Sequence, residues 1–282
     1  MTTARISLTQ EPAYSSPFDS IAEQYDATFT SSAIGRIQRD SVWGEFKKSF
    51  HSGDRILDIG CGTGVDARFL AGHGIDVVAC DSSSRMLSVA QTRIASIPQS
   101  TGTIQLRLLP AEEISSLGNG GSFDGAFSNF GAVNCVRDMG KLASDLARLL
   151  RPGANLLLCL MGPVCLWETM WYLLHGEFAK AFRRFHRAGI AARVGDGAIF
   201  HVHYPSVRSI RHVFAPGFRL KTIQGIGVAV PPSYLEAWAK RFPGIVRLGA
   251  NADRFLGRCP GIRVFADHVL LRFERTKAWG TL

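Results

Sequence analysis

Three observations in the 282-residue sequence predict an α/β fold built on a doubly wound, mostly parallel sheet. Short apolar runs recur between Arg55 and Met161, and segments of helical periodicity separate them. A glycine-rich turn directly follows the first run. Strands alternating with helices of this length form βαβ units, and right-handed crossovers place the helices on both faces.

The elements follow in order. Residues 1–17 are polar and contain proline, as expected of a mobile tail. Phe18–Tyr25 and Ala33–Phe50 suit helices. Arg55–Gly60 is an apolar run ended by glycine and reads as a strand. Val65–Gly72 reads as a helix and Ile75–Cys80 as a buried strand. Ser84–Ile97 has helical periodicity, with Ser82 or Ser83 available as the N-cap. Thr103–Leu109 and Phe123–Ser128 read as strands, and Met139–Leu150 as an amphipathic helix closed by Arg151-Pro152-Gly153. Ala154–Met161 is a strongly apolar strand. Beyond it, Val164–Arg187 reads as one or two helices, Ala198–Tyr204 as a short strand and Ser206–Phe214 as a helix. Phe218–Val228 and His268–Phe273 complete the strands, with helical material over Ser233–Arg258 between them.

Composition narrows the function classes. Hydrophobic residues make up 46% and charged residues 20%, which is globular rather than disordered. Ala154–Trp167 is the most apolar stretch, but it is too short to span a bilayer and contains Gly162 and Pro163. The N-terminus has no apolar core of the secretory kind. The six cysteines lie far apart without CxxC spacing, which argues against a disulfide scaffold or a zinc site and points to the cytoplasm. No metal ligands are expected.

The formal charge of +9 is unevenly distributed. Residues 1–150 hold 13 Lys+Arg against 16 Asp+Glu, a net of −3. Residues 151–282 hold 19 against 7, a net of +12. Such a basic half suits an anionic ligand, a membrane surface or nucleic acid, or is simply a solvated face.

The strongest motif is Leu57-Asp58-Ile59-Gly60-Cys61-Gly62-Thr63-Gly64, placed between a strand and a helix. Glycines allow a tight turn and close approach of a ligand to the backbone. The spacing GxGxG differs from the GxGxxG of dinucleotide loops, where a pyrophosphate sits on the helix. Asp58 would oppose a pyrophosphate but suits an ammonium group. Asp81 ends the next strand, a position suited to ribose hydroxyls. Together these residues describe a site for an adenosine carrying a cationic amino-acid tail.

This loop resembles the first motif, much like DxGxGxG, of the class I S-adenosylmethionine-dependent methyltransferases. Phe18-Asp19-Ser20-Ile21-Ala22-Glu23-Gln24-Tyr25-Asp26 is similar to the FDxxAxxYD opening of the branch that includes the ubiquinone- and menaquinone-biosynthesis methyltransferases. Ala126–Phe130 matches the end of that family's fourth strand, and Leu149–Gly153 resembles its LRPGG turn. The resemblance runs from Phe18 to Met161 and resumes weakly at the last strands. It implies a Rossmann-like seven-stranded sheet with S-adenosylmethionine as cofactor.

The resemblance also implies residue roles. Asp58, Gly60, Cys61, Gly62 and Gly64 would surround the methionine moiety, with Asp58 facing its ammonium. Asp81 would hold the ribose hydroxyls, with Ser82 and Met86 beside the adenine. Leu109-Pro110-Ala111-Glu112 takes the place of the GDAE segment at the adenine edge, but Pro110 replaces the usual aspartate. Ala111 and Glu112 keep their places, and the adenine amino group needs Glu112 or a backbone carbonyl as its acceptor. Ser128 and Asn129 would flank the sulfonium, and Tyr25 would fold over the cofactor.

Methyl transfer is an in-line displacement that mainly requires alignment and exclusion of water. A general base is needed only where a hydroxyl or carbon acceptor loses a proton. His175, His201, His203 and Tyr204 are candidates, although ordinary polar positions in a cap are the simpler reading of each. His203 and Tyr204 are chosen for the acceptor pocket, with Asn129 orienting the acceptor. Asn134 could do the same, and loop structure explains both asparagines equally well.

Trp167, Trp171, Leu174, Phe178, Phe182 and Phe185 fall at helical spacing, with Lys180, Arg183, Arg184 and Arg187 crowding the later part. The preferred reading is a cap helix packing its aromatic face on the sheet domain; the alternative is an interfacial helix or a lid. The resulting organisation is a tail (1–17), a cofactor-binding core (18–162), a cap insertion (163–204) and C-terminal strands (205–282) with a helical insertion at 233–258. The expected partner is a small-molecule methyl acceptor, anionic or aromatic, with peripheral membrane contact as an alternative. Nucleic acid is disfavoured because the basic residues are scattered and no NPPY-type sequence is present. A membrane-associated quinone or lipid methyltransferase is the alternative function, and an RNA methyltransferase, a nicotinamide oxidoreductase and a non-catalytic S-adenosylmethionine binder are the further competing classes. The sequence does not define an oligomeric state.

Overall fold

The computed structural model describes residues 16–95, 101–118, 121–186, 189–195 and 197–277. Most of the expected tail, residues 1–15, and Arg187 of the basic cluster lie outside the described residues.

The first five strands are β1 (Arg55–Ile59), β2 (Asp76–Asp81), β3 (Ile104–Leu108), β4 (Phe123–Ser128) and β5 (Leu150–Leu160). They pair in parallel in the order β3-β2-β1-β4-β5. The hairpin β6 (Ile190–Val194) and β7 (Ala198–Val202) forms a separate two-stranded sheet. Strands β8 (Phe218–Ile226) and β9 (His268–Arg275) complete the main sheet of seven, with β9 antiparallel between β5 and β8. This is the expected doubly wound architecture. Strands buried on both faces read as continuous apolar runs, which is why β1, β2 and β5 were visible in the sequence.

Ten helices surround the sheet among the described residues. α1 (Ala22–Tyr25) lies between a 3₁₀ turn (Asp19–Ile21) and a π-helical turn (Asp26–Thr30). α2 (Ala33–Ser49), α3 (Val65–Ala71) and α4 (Ser84–Ala95) supply Val42, Phe46, Leu70, Leu87 and Ala90 to the core on one face. α5 (Met139–Leu149) supplies Leu142 and Leu146 to the other face, where Ile210 and Phe214 join them. α6 (Leu166–Leu174) and α7 (Phe178–Ala181) follow β5. α8 (Val207–Phe214) carries Ile210 and Phe214, and α9 (Glu236–Arg241) and α10 (Pro243–Leu256) connect β8 to β9.

The segment after β5 resolves into separate pieces. Of the one or two helices read over Val164–Arg187 there are two: α6 ends before Gly176, whose φ of +73° is left-handed, and α7 starts a new turn. The aromatic stripe is not covered as a unit either, since Leu174, Phe178, Phe182 and Phe185 stay exposed. β6 was not anticipated, because an exposed two-stranded hairpin lacks the buried face that creates a strand pattern. Among the described residues, no helix is long and apolar enough to cross a membrane.

Candidate cofactor and acceptor site

The order β2-β1-β4 creates a crevice outside the carboxyl ends of the strands, the usual ligand position in such sheets. The glycine loop leaves β1 there, with Gly60, Gly62 and Gly64 at φ of +73°, +53° and +73°. The backbone N–H groups of Gly60 and Cys61 both donate to Cys80 O at 2.9 Å, tying the turn to β2. Gly60 faces Ala132, which a Cβ at this position would meet at 2.4 Å. Gly62 faces open space, with nothing within 4 Å of such a Cβ. That opening is a cradle a ligand can fill.

Asp58 is buried, and its Oδ2 has no hydrogen-bond partner among the described residues. Burial pushes its carboxyl well above the ordinary range, and the nearby Asp66 and Asp81 add to the effect. An unpartnered buried carboxylate is costly, and an ammonium group would remove that cost. Asp81 accepts from Gly62 N through Oδ2 and from Ser83 N through Oδ1, both at 2.8 Å. Burial raises its pKa despite these N–H donors.

The N-terminal motif folds over this loop. Asp19 Oδ1 accepts from Ser83 Oγ at 2.6 Å, and Asp26 Oδ1 accepts from Thr63 Oγ1 at 2.8 Å. Arg93 pairs with Asp26, and its Nε donates to Thr63 O at 2.8 Å. Tyr25 lies half-buried between these anchors, and burial pushes its phenol up to about 12. Ser82 Oγ lies 3.4 Å from Ser16 Oγ, and Met86 is buried. Ala111 begins a 3₁₀ turn after Pro110; the Glu112 side chain is exposed while its carbonyl accepts from Lys141 Nζ at 2.6 Å.

Ser128 and Asn129 are engaged within the protein. Ser128 Oγ donates to Ile59 O at 2.7 Å, bridging β4 to β1. Asn129 Nδ2 donates to Asp66 Oδ2 at 2.8 Å, and its Oδ1 accepts from Phe130 N at 3.0 Å. Asp66 also takes Arg39 Nη1 at 2.7 Å and Trp43 Nε1 at 2.7 Å. Arg39 in turn lies 4.9 Å from the ring centre of Phe130, a non-glycine residue held at φ +46°. Asn129 is therefore a positioning element of the loop after β4. Asn134 is likewise committed: Nδ2 donates to Met161 O and His203 O, and Oδ1 accepts from Met161 N.

That bracket holds His203 beside the end of β5. His203 and Tyr204 are half-buried, whereas His201 is exposed. Burial raises the Tyr204 phenol, and Arg184 lies 5.5 Å from its ring centre. His175 is exposed and bonds Trp171 O.

A buried charge cluster beneath the cap was not anticipated. Arg184 Nη2 bonds Glu168 Oε2 at 2.8 Å and Asp267 Oδ1 at 3.0 Å, and Arg183 Nε bonds Glu168 Oε1 at 2.9 Å. His268 Nδ1 lies 3.3 Å from Asp267 Oδ2, and its ring meets Phe130 edge-on at 5.4 Å. Burial opposes ionisation of Asp267, but His268 and Arg184 overcome it and hold the carboxyl well below its usual range. Arg184 is thus buried and ion-paired in the cap, and the partly exposed Arg183 pairs with Glu168. The partners are separated by up to a hundred residues, so no local spacing announces them. Among the described residues, no group of three or more His, Cys, Asp or Glu could hold a metal ion.

The residues fit S-adenosylmethionine: an orphaned buried carboxylate for the ammonium, an open left-handed glycine for close approach, and Asp81 at the ribose position. Residues 56–153 match the family described as "Methyltransferase domain". Over residues 56–153 the chain is thus similar to a methyltransferase domain, carried on the α/β fold described above. The chain is 32% identical over 156 residues to a demethylmenaquinone methyltransferase of Clavibacter sepedonicus, covering 55% of this chain and 61% of that one. It thus spans about three fifths of the length of the curated relatives it matches. An S-adenosylmethionine-dependent methyltransferase structure from Methanosarcina mazei aligns with TM-score 0.56 at 18% identity, over 82% of this chain and 96% of that one. Phosphoethanolamine N-methyltransferase 2 of Haemonchus contortus, in complex with S-adenosyl-L-methionine, aligns with TM-score 0.55 at 20% identity, over 92% and 57%. These structural likenesses establish the fold.

Proposed function

We propose that the protein is an enzyme that transfers a methyl group from S-adenosylmethionine to a small-molecule acceptor enclosed by the cap. The observation that carries this reading is Asp58, buried with an unpartnered Oδ2 beside the glycine cradle. Bound S-adenosylmethionine supplies a sulfonium-activated methyl group for in-line displacement by the acceptor. Asp58 holds the ammonium, Asp81 the ribose hydroxyls, and Gly62 permits close approach. Tyr25 covers the cofactor, fastened through Asp19 and Asp26, and so excludes water. Ser82, Met86, Ala111 and Glu112 border the adenine.

His203 and Tyr204 stand on the acceptor side in this reading. An acceptor that loses a proton would give it to the His203 imidazole. The raised Tyr204 phenol stays protonated at neutral pH and serves as a hydrogen-bond donor. Asn129 acts by holding Asp66 and the loop at Phe130. The relatives' description as demethylmenaquinone methyltransferases and the aromatic cap, where Tyr172 stacks at 6.1 Å on Tyr234 of the helical insertion, support a quinone-like aromatic acceptor. The six free cysteines support a reducing, cytoplasmic setting.

The test is methyl transfer from labelled S-adenosylmethionine to a panel of reduced naphthoquinones and benzoquinones and unrelated phenols and amines. Label on a quinol, strongly reduced by His203→Ala, supports the reading. Label on none of the panel despite cofactor binding would favour a binder without transferase activity, since one fold hosts many functions.

A further inference from the structure

α10 has three distinct faces. Val246, Gly249, Ala250 and Asp253 turn inward: Val246 and Asp253 are buried, Ala250 packs with Val246 in the small core around Ile34, and a Cβ on Gly249 would touch Ala229 O at 3.0 Å. Ile245, Leu248 and Phe255, at spacings of three and seven, form a second face that is 54%, 71% and 77% exposed. A helix normally buries such a stripe, so this one lacks a partner among the described residues. Arg247 and Arg254, seven residues apart, form a third face beside it, and Arg258 follows just past the end of the helix; all three are exposed.

The charge around this helix is one-sided. Residues 236–265 contain six cations (Lys240, Arg241, Arg247, Arg254, Arg258 and Arg263) and two carboxylates. Both carboxylates point inward onto backbone donors. Glu236 caps α2 by accepting from Ala33 N at 2.9 Å and Ile34 N at 3.2 Å. Asp253 accepts from Ala229 N at 2.5 Å and Val230 N at 3.4 Å. The outward charge of the segment is therefore entirely positive. The basic face runs into a groove of about 710 Å³ along β8, whose lining includes Lys48, Arg211, Lys221, Arg258, Arg263 and Arg272 with Glu45 as its one acidic residue. Lys48 and Arg258 pair with Glu45, and Lys221 pairs with Glu274, so the groove keeps an excess of positive charge. The Arg272 Nε there is buried without a hydrogen-bond partner.

We infer that the outer face of α10 docks on an anionic lipid bilayer, inserting Ile245, Leu248 and Phe255 while the flanking arginines and the groove meet lipid phosphates. Apolar residues beside cations with no outward carboxylate are the composition of an interfacial helix. A second copy of this chain is a poorer occupant, because a symmetric contact would oppose arginine with arginine. The exposed α6–α7 patch differs in that Arg183 and Arg184 pair with Glu168 and Lys180 pairs with Glu177. This surface is separate from the cofactor site, so the inference does not depend on methyl transfer.

The test is co-sedimentation of the full chain with vesicles of phosphatidylcholine alone or mixed with phosphatidylglycerol, at low and high salt. The wild type should pellet with the anionic vesicles and be released by salt. Leu248→Ser with Phe255→Ser, and separately Arg247→Gln with Arg254→Gln, should each lower the partition coefficient by roughly tenfold or more. Both variants should keep wild-type affinity for S-adenosylhomocysteine, which shows that they are folded. Failure of the wild type to pellet would overturn the inference. So would loss of binding only in Leu174→Ser with Phe178→Ser, or light scattering that shows a dimer dissociated by the Leu248→Ser, Phe255→Ser pair.

Discussion

The Thr63 hydroxyl donates to Asp26 Oδ1 at 2.8 Å, joining the N-terminal helical segment to the glycine loop. Arg93 closes the connection by pairing with Asp26 and donating to Thr63 O. In the proposed function a segment so fastened is a cover whose order is coupled to cofactor binding. Asp26→Asn should therefore weaken S-adenosylhomocysteine by about tenfold while lowering stability by only about 1–2 kcal/mol, the range for a partly exposed charged hydrogen bond. Calorimetric titration beside thermal unfolding separates the two effects.

The glycines of the loop should respond differently to alanine. Gly60→Ala meets both a left-handed φ and Ala132, so it should destabilise the fold beyond the roughly 1–2 kcal/mol that a positive φ costs. Gly62→Ala carries the backbone cost alone, because its Cβ enters open space. It should remain folded yet lose most cofactor affinity. Thermal unfolding and titration of the two variants should thus rank them in opposite order.

Cofactor binding should strengthen with pH. Burial raises Asp58 in the free protein, so part of the population is protonated above the ordinary carboxylate range. The sign for stability follows: with the folded pKa above the unfolded one, the contribution of Asp58 is fully present below about 4 and is lost as pH rises through the raised folded value. A bound ammonium reverses that loss and expels the proton. The cofactor-induced rise in Tm should therefore grow with pH in the wild type and stay flat in Asp58→Asn. Calorimetry in buffers of different ionisation enthalpy should detect proton release in the wild type only.

The buried cluster beneath the cap should show the opposite pH behaviour. His268 and Arg184 hold Asp267 below its ordinary range against burial, so its contribution is present above about 4 and is lost as pH falls through the depressed folded value. Asp267→Asn should cost about 3–5 kcal/mol at neutral pH by leaving Arg184 partly unpaired. The difference from the wild type should shrink in acid. Urea unfolding at several pH values measures it.

The carboxyl-edge half of the site was legible because each residue sits next to a local signal. Asp58 precedes a glycine turn, Asp81 ends an apolar run, and Asp19 and Asp26 bracket one short motif. Their mutual bonds were not legible, because Asp26 meets Thr63 and Arg93 only after the sheet forms. The same holds for Glu168, Arg184 and Asp267, whose pairing depends on β9 lying beside β5. Asn129 and Asn134 look like free polar groups in sequence, but their amides are consumed by Asp66, Met161 and His203. The spacing from Trp167 to Phe185 satisfies one helix, yet Gly176 offers a low-cost left-handed break that periodicity does not reveal.

Titration of the protein with S-adenosylhomocysteine by isothermal calorimetry tests the central claim most directly. The account predicts saturation at one molecule per chain, with affinity reduced by about tenfold or more in both Asp58→Asn and Asp81→Ala. No saturable heat in the wild type, or wild-type affinity in both variants, would contradict it.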